Sequence, residues 1–387
     1  MIEQPAVSPA RVTVTIACWN GKAYLKACLE SVLAQTWKDI EIILVDDGSS
    51  DGSADFVQQN FPSVAVLRNK SNGGFCKTQN RGIREATGAY ILPLNQDVIL
   101  TPPFVDEAVK AIESNPKIGS ISGKLLRTAA SGPNPIIDSV GHSMSVDRIP
   151  GNRGWHEVDT GQYDTPGYIF GSRGAAPLYR RAMVQELMID GELFDEDFVA
   201  YYDDVDVDWR AQLLGWKCYY TPEAIAYHVS GTSRDNLRKT MEIHEIKNRY
   251  LMILKNDSPA NILRDVLFIG ITEIRRFLYV LLGHWPLFKG YLQFLRLAPR
   301  ALRKRRIVMD RKKVSDPDLR KWFVLTAAHV QRIVESFLIL YALIALFWIV
   351  PAVKLISIVA GYFLLQWGLT TGFNAIRPRA ADFRPQP

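Results

Sequence analysis

The chain has 387 residues, 48% of them hydrophobic and 22% charged, so it can bury a sizeable core and is not a disordered or low-complexity sequence. Its 46 Lys and Arg against 40 Asp and Glu leave a formal charge of +6, too mild a surplus over this length to imply nucleic acid as a partner. The length sets a soft expectation of two or three structural units.

The N-terminal stretch MIEQPAVSPARVTVTIACWN lacks a basic region followed by an apolar one, so no cleaved signal peptide is expected. From Val12 onward, short β-rich runs alternate with helical patterns: VTVTIAC then AYLKACLESVLAQ, IEIILVDDGS then SADFVQQNF, VAVLRN then the segment from Asn80 to Ala86, and finally AYILPLNQD. Apolar strands alternating with helices predict a parallel α/β sheet covered on both faces, with ligands bound where strands end. That placement brings Asp46, Asp47 and Asp97 to one edge. Cys18, Cys28, Cys76 and Cys218 form no CxxC spacing and read as reduced, buried thiols, which favours a cytosolic compartment.

From about 258 to 323 the chain mixes apolar residues with Arg and Lys at helical spacing, and Trp285 and Tyr291 stand beside basic side chains. This is the composition of a helix lying in a membrane interface, or of a helical subdomain with a solvated basic face. Eight Arg or Lys against one Asp between Arg300 and Lys313 favour anionic lipid headgroups. Two uncharged runs follow, FLILYALIALFWIV and LISIVAGYFLLQWGL, separated by Pro351, Ala352, Val353 and Lys354. Each falls short of the ~20 residues of a full span, but flanking residues extend them, so a membrane-embedded helical hairpin is expected. Basic residues before it (Arg320, Lys321, Arg332) and after it (Arg377, Arg379, Arg384) put both its ends in the cytoplasm. A buried helical pair at an oligomer interface is the alternative. The expected division is a tail at 1–11, an α/β domain at 12–256, a basic amphipathic helical region at 257–330, the apolar hairpin at 331–374 and a C-terminal tail at 375–387.

In IILVDDGSSDGSADF an apolar strand ends in Asp46, Asp47 and a Gly/Ser loop, which suits a ligand or an ordinary turn into a helix. The next loop carries Asn72, Gly73 and Gly74, where glycine permits close backbone approach. AYILPLNQDVIL raises a sharper question, because its apolar run breaks for Asn95, Gln96 and Asp97 and then resumes. A buried, unpaired carboxylate costs several kcal/mol or more, so the strand ends there or the acid has a cation. Near a phosphate-bearing ligand Asp97 suits Mg2+ or Mn2+, which takes oxygen ligands shared with a diphosphate; the alternative is a helix N-cap. Downstream, YYDDVDVDW puts Asp203, Asp204, Asp206 and Asp208 within six positions. Clustered carboxylates raise one another's pKa, so this is a site for acid–base work or metal binding, or else a helix start favoured by the dipole. His228 ends the strand-like EAIAYH, as a structural residue or a ligand.

In order, TIACWNG, VDDGSSDGS, NGGFCKTQNRGI, LPLNQDV, FDEDFVAYYDDVDVDWRAQLLGWK and YHVSGTS resemble the family 2 glycosyltransferases of the GT-A fold over about residues 12–234. The resemblance is strongest to the bacterial rhamnosyltransferase branch, which commonly carries an Asn-x-Asp variant of the Asp-x-Asp motif. It implies a Rossmann-like mixed sheet, followed here by amphipathic and membrane helices. It also implies that Asn20, Asp46 and Asp47 face the nucleotide, that Asn72, Gly73 and Asn80 wall the nucleotide sugar, and that Asn95 contacts ribose or sugar. Asp97 would bind the metal, with His228 as a further ligand. In the family's Glu-Asp motif Asp203 replaces the usual Glu and Asp204 is the base. Gly174, Trp209 and Arg210 fall on the acceptor side, and Arg234 and Arg249 near the diphosphate.

The implied activity is Mg2+- or Mn2+-dependent, inverting transfer of rhamnose or a related hexose from a dTDP-, UDP- or GDP-sugar. The expected acceptor is a polyprenyl-linked or other lipid saccharide at the cytoplasmic face of the bacterial inner membrane, in surface polysaccharide or glycolipid synthesis. Membrane lipids and a second copy of the chain are further expected partners. Two alternatives stand beside it. A processive polysaccharide synthase shares the fold but usually carries a Gln-x-x-Arg-Trp motif, not found in this sequence, and several spans. A nucleotidyltransferase or nucleotide-binding scaffold would use the same sheet without an acceptor-side base.

Overall fold

A computed structural model describes residues 8–127, 135–229, 234–349 and Tyr362. Strand β1 (Ser8–Cys18) alternates Val12, Val14, Ile16 and Cys18 with Thr13 and Thr15, and both sets are buried. Burial on both faces marks a central strand, in which each fully buried aliphatic side chain contributes roughly 1.5–3 kcal/mol. After α1 (Lys22–Leu33) come β2 (Ile40–Asp46), α2 (Ser53–Asn60), β3 (Ala65–Arg68), α3 (Phe75–Glu85) and β4 (Gly88–Asn95). Strands β3, β2, β1 and β4 lie side by side and parallel, as the strand–helix alternation predicts. Helix α3 comes close to them because Gly82 has no side chain; a Cβ there would stand 3.2 Å from Thr15. The register pairs Cys18 with Asp46 and Ala17 with Asn95, so the strand ends leading to Asp47 and Asp97 share one edge.

The chain continues through β5 (Val98–Leu100), α4 (Phe104–Glu113), β6 (Ile118–Arg127), β7 (Ile137–Ser139), β8 (His142–Ser145) and β9 (Pro150–Asn152). Then come β10 (Gly167–Ile169), β11 (Leu178–Arg180), α5 (Arg181–Leu187), α6 (Asp203–Leu213) and β12 (Lys217–His228). The large sheet runs β10, β12, β6, β11, β4, β1, β2, β3. Because β11 is antiparallel to both β4 and β6, the sheet is mixed rather than wholly parallel. The apolar run that resumes after Asp97 is β5, antiparallel to the end of β12 with His228 opposite Val98. Asp97 is therefore not a helix cap: α4 starts at Phe104, with Pro103 as its N-cap.

Helices α7 (Arg234–Asn256), α8 (Pro259–Arg264), α9 (Val266–Leu281), α10 (Phe288–Asp310) and α11 (Asp316–Arg320), strand β13 (Phe323–Val324) and helix α12 (Ala327–Ile349) follow. A second sheet, in which β8 pairs with both β9 and β13, ties them to the α/β unit. Buried ion pairs reinforce the junction, with Arg148 2.7 Å from both Asp257 and Asp265.

The basic stretch 300–313 has a different role from the one its charge suggests. Arg300 pairs with Asp197, Arg303 with Asp190, Lys304 with Asp195 and Lys313 with Glu186, while Arg305 and Arg311 donate to backbone carbonyls. These residues form the seam that docks α10 on the α/β unit, not a free strip for headgroups. Several large apolar side chains face outward from α8 to α10: Leu263, Ile274, Trp285, Leu292 and Leu295 are each more than half exposed, beside exposed Arg264, Lys289 and Arg296. Among the described residues no helix is long and apolar enough to cross a membrane, so the expected span gains no support. The first arm of the expected hairpin falls in α12. The second arm apart from Tyr362, the basic residues after it and the chain before Ser8 lie outside the described residues. All four cysteines are buried.

Candidate active site

The donor edge is assembled from strand ends. Asp47, just past β2, is buried and accepts from Asn69 Nδ2 (2.7 Å), Gly73 N (3.0 Å) and Gly74 N (2.9 Å), so its carboxylate moulds the 72–74 loop from beneath. Asn72 Oδ1 also accepts from Gly74 N, at 3.0 Å. Asp46 accepts from Ser49 N at 3.2 Å, and its buried Oδ1 has no hydrogen-bond partner among the described residues, which leaves an acceptor for a ligand's donor. Asn20 is exposed, left-handed (φ 48°), and accepts from Ser50 N at 2.9 Å. Asn80 differs from the expectation: it is buried in α3 and binds the backbone of Leu193 and Phe194, so it braces the segment before α6 instead of walling the donor.

Asp97 lies just past β4, and the β5–β12 pairing sets His228 beside it, with Nε2 3.4 Å from Asp97 Oδ1. On its other side His228 Nδ1 is 2.8 Å from Asp138 Oδ2 on β7. Burial opposes protonation of this imidazole, but the hydrogen bonds it donates to Asp138 and Asp97 outweigh it and hold its pKa above the ordinary value. A histidine whose Nδ1–H is held by a carboxylate while Nε2 faces a second carboxylate fits a divalent cation, the held proton fixing the ligating tautomer. Among the described residues no group of three or more His, Cys, Asp or Glu could hold a metal. The pair thus suits Mg2+ or Mn2+ as a partial shell that a diphosphate and water complete.

The four acids of α6 have four different fates. Asp206 is fully buried, bound to Arg210 Nε (2.9 Å) and Asn256 Nδ2 (2.7 Å), and joins α6 to α7. Asp208 lies one turn after Asp204 on the same face of the helix and meets His142 Nδ1 at 2.8 Å; burial first, moderated by that imidazole, pushes it up to about 6. Asp203 is buried, and desolvation followed by the charge of Asp204 drives it well above the usual carboxylate range. Asp204 is the more accessible of the adjacent pair, accepting from Gly174 N at 2.9 Å. The next residue, Ala175, accepts from Asn95 N at 2.9 Å, so the Gly174–Ala175 segment links Asp204 to the donor edge.

Two acceptor-side expectations are corrected. Trp209 is fully buried with its ring edge on Phe323, and Arg210 is buried with Nη1 on Leu187 O and Nη2 on Leu193 O, so both hold the core. Arg249 likewise does not reach a diphosphate: it is buried against the Asp147 and Arg148 carbonyls and Glu273. The side chain of Arg234 lies outside the described residues.

The chain enters α6 through a strained turn in which Val199 (φ 69°), Tyr201 (69°) and Tyr202 (63°) are left-handed, a state costing about 1 kcal/mol or more per non-glycine residue. Helix α7 fixes it, since Asn248 Nδ2 donates to the carbonyls of Phe198 (3.1 Å), Ala200 (2.7 Å) and Tyr201 (2.7 Å). The donor loop rests on the same turn: a Cβ on Gly74 would lie 2.6 Å from Val199 Cγ1, and Cys76 N donates to Val199 O at 3.0 Å. Asn248→Ala is expected to cost about 1–3 kcal/mol of stability and to lower turnover more than donor affinity; thermal denaturation beside initial rates checks both. Asp138, His142 and Asn248 carry no local signal in the sequence.

The mixed α/β sheet carries acids and a histidine at its strand ends, linked through Gly174–Ala175 to a carboxylate at the start of α6. Residues 13–173 match the family model described as "Glycosyl transferase family 2". The chain is 22% identical over 247 residues to a poly-beta-1,6-N-acetyl-D-glucosamine synthase of Staphylococcus epidermidis, covering 61% of this chain and 55% of that protein. It is 24% identical over 219 residues to the synthase of the same name from Staphylococcus aureus strain COL, covering 56% and 49%. The chain thus spans about half the length of the curated relatives it matches. In fold it is similar to a crystal structure of GalNAc-T7 with UDP, GalNAc and Mn2+, at a TM-score of 0.51 and 14% identity over 68% of this chain and 50% of that one.

Proposed function

We propose that this chain transfers a sugar from a nucleotide-diphosphate donor to a saccharide acceptor with inversion at the anomeric carbon. The observation that carries it is the division of the site into two halves joined at Gly174–Ala175, the Asp97–His228–Asp138 group at the sheet edge and Asp204 at the start of α6. Asp46, Asn20 and the 72–74 loop bind the nucleotide. Asp204 takes the proton from the acceptor hydroxyl as that oxygen bonds to the anomeric carbon and the bond to the diphosphate breaks, its electron pair leaving with the diphosphate. Asp203, kept as a neutral acid, orients its surroundings. Asp97 and His228 would hold Mg2+ or Mn2+, which when bound offsets charge on the leaving diphosphate.

Within this reading the donor is a dTDP-, UDP- or GDP-sugar, with rhamnose or a related hexose favoured by the Asn95-x-Asp97 pattern. The test is nucleotide diphosphate release from a panel of such donors with Mn2+, Mg2+ or chelator, with and without lipid acceptor. Metal-dependent release from one donor supports the proposal, and a folded protein that binds nucleotide yet releases none removes it. The relatives' printed names favour a second reading, repeated addition to one growing chain. Product length settles which, since single transfer gives one added sugar and a synthase a ladder.

The acceptor is proposed to be lipid-linked, at the cytoplasmic face of a bacterial inner membrane, with the apolar face of α8 to α10 lying on the bilayer. Because most of the basic stretch is engaged in the docking seam, binding should depend on apolar insertion more than on charge. The expected outcome is sedimentation with phosphatidylglycerol and phosphatidylcholine vesicles alike, little changed by salt, and weakened about tenfold or more by Leu292→Glu with Leu295→Glu. A protein that stays in the supernatant with both lipids refutes the surface reading.

A further inference from the structure

One short segment feeds both halves of the site. Asp138 at β7 holds His228, and four residues on, across Gly141 (φ 102°), His142 opens β8 and reaches the base. His142 Nε2 lies 3.5 Å from Asp204 Oδ2, and Nδ1 lies 2.8 Å from Asp208 Oδ2. Both His142 and Asp208 are 2% exposed. A carboxylate withdrawn from water this far needs compensation, and Asp208 has it from His142 and from Ser172 N at 3.1 Å. The segment Gly171–Gly174 lies flat against α6, because a Cβ on Gly171 would fall 1.9 Å from Asp208 Oδ2 and one on Gly174 2.7 Å from Asp204 Oδ2. Asp204, His142 and Asp208 are thus an acid, an imidazole and a second acid in series, walled by main chain. The other titratable groups around the series are Tyr179 on β11 and Cys218 on β12, both pushed up by burial first and then by the charge of Asp208. Arg173, in the same Gly171–Gly174 segment, donates to Asn152 Oδ1 at 3.2 Å.

We propose that His142, held by donation of Nδ1–H to Asp208, is the positioning residue of the base: once Asp204 has taken the acceptor's proton, the Nε2 lone pair accepts a hydrogen bond from that protonated carboxyl, fixes it and receives the proton. This rests on the reading of Asp204 as base. The balance is simple. The acceptor O–H bond breaks and its proton binds Asp204. That proton passes to Nε2, the resulting imidazolium is offset by Asp208, and the proton leaves to water after product departs. The order of groups is that of a nucleophile's base and its orienting acid, with a carboxylate at the head of the series.

The test uses His142→Gln, whose amide replaces the hydrogen bond but cannot take a proton, and Asp208→Asn, whose amide oxygen still accepts from Nδ1–H without charge. The expected result is a fall in kcat of about 10- to 100-fold in His142→Gln and a smaller one in Asp208→Asn, with donor KM and half-saturating Mn2+ unchanged; the thermal midpoint holds in His142→Gln and drops in Asp208→Asn, whose amide nitrogen no longer accepts from Ser172 N. A fully active His142→Gln, or a loss of kcat matched by equal shifts in donor KM and metal requirement, overturns the proposal. If His142→Gln does not fold, Asp208→Asn carries the same comparison. Asp204→Asn tells the two failures apart: if it is inactive while both other variants are normal, only the role of His142 falls, and if it is active, the base assignment falls as well.

Discussion

Replacing Asp204 by asparagine is expected to lower sugar transfer by about 10²- to 10⁴-fold, the usual worth of a positioned general base, while the protein keeps its fold and its donor affinity. The fold should survive because the new amide oxygen can still accept from Gly174 N, the bond Asp204 makes at 2.9 Å. Asp203→Asn should be far milder, within about tenfold, because burial and the charge of Asp204 already favour the uncharged form of Asp203. Nucleotide diphosphate release together with calorimetric donor titration separates the two. Equal losses in both variants, or an active Asp204→Asn, would show that the proton goes elsewhere.

The second large effect is on the metal half. Asp97→Ala is expected to abolish turnover at any Mn2+ concentration, since the carboxylate is the single anionic group of the Asp97–His228 pair. Asp138→Asn should instead raise the Mn2+ needed for half-activity by about 10- to 100-fold and recover near-normal rates at saturation, because it only orients the ligating imidazole. A Mn2+ titration against a chelated baseline reads both. Wild-type turnover that survives chelation would refute the metal role of this edge.

The parallel half of the sheet was legible because its strands are written as β-branched and apolar runs between helical patterns, as VTVTIAC and IEIILVD are. Strand β11 was not, since three residues, Leu178 to Arg180, carry no periodicity and their antiparallel placement depends on β4 and β6. The same limit explains the missed site residues. Asp138 and His142 sit in PIIDSVGHSMS, and their partners His228 and Asp208 lie 90 and 66 positions away. The basic run of α10 was ambiguous for a related reason: Lys and Arg spaced for a helix look alike whether they meet phosphates or the acids at 186–197, and only tertiary placement brings out the second set of partners. The acidic cluster stood out in the sequence, yet only burial and hydrogen-bond partners separate its members, Asp206 on Arg210, Asp208 on His142, and Asp204 on Gly174 N beside the more deeply buried Asp203.

Under the proposed function, the contact of Gly74 with Val199 limits how this site can be redesigned. The glycine belongs to the loop below which Asp47 sits, and the valine belongs to the turn that launches α6. Any side chain grafted at position 74 to favour a different sugar nucleotide would therefore push on the left-handed turn and swing Asp204 away from its line of attack. Donor preference and acceptor chemistry are inherited together here, and a transplanted donor loop needs its own version of residues 199–202 to remain productive.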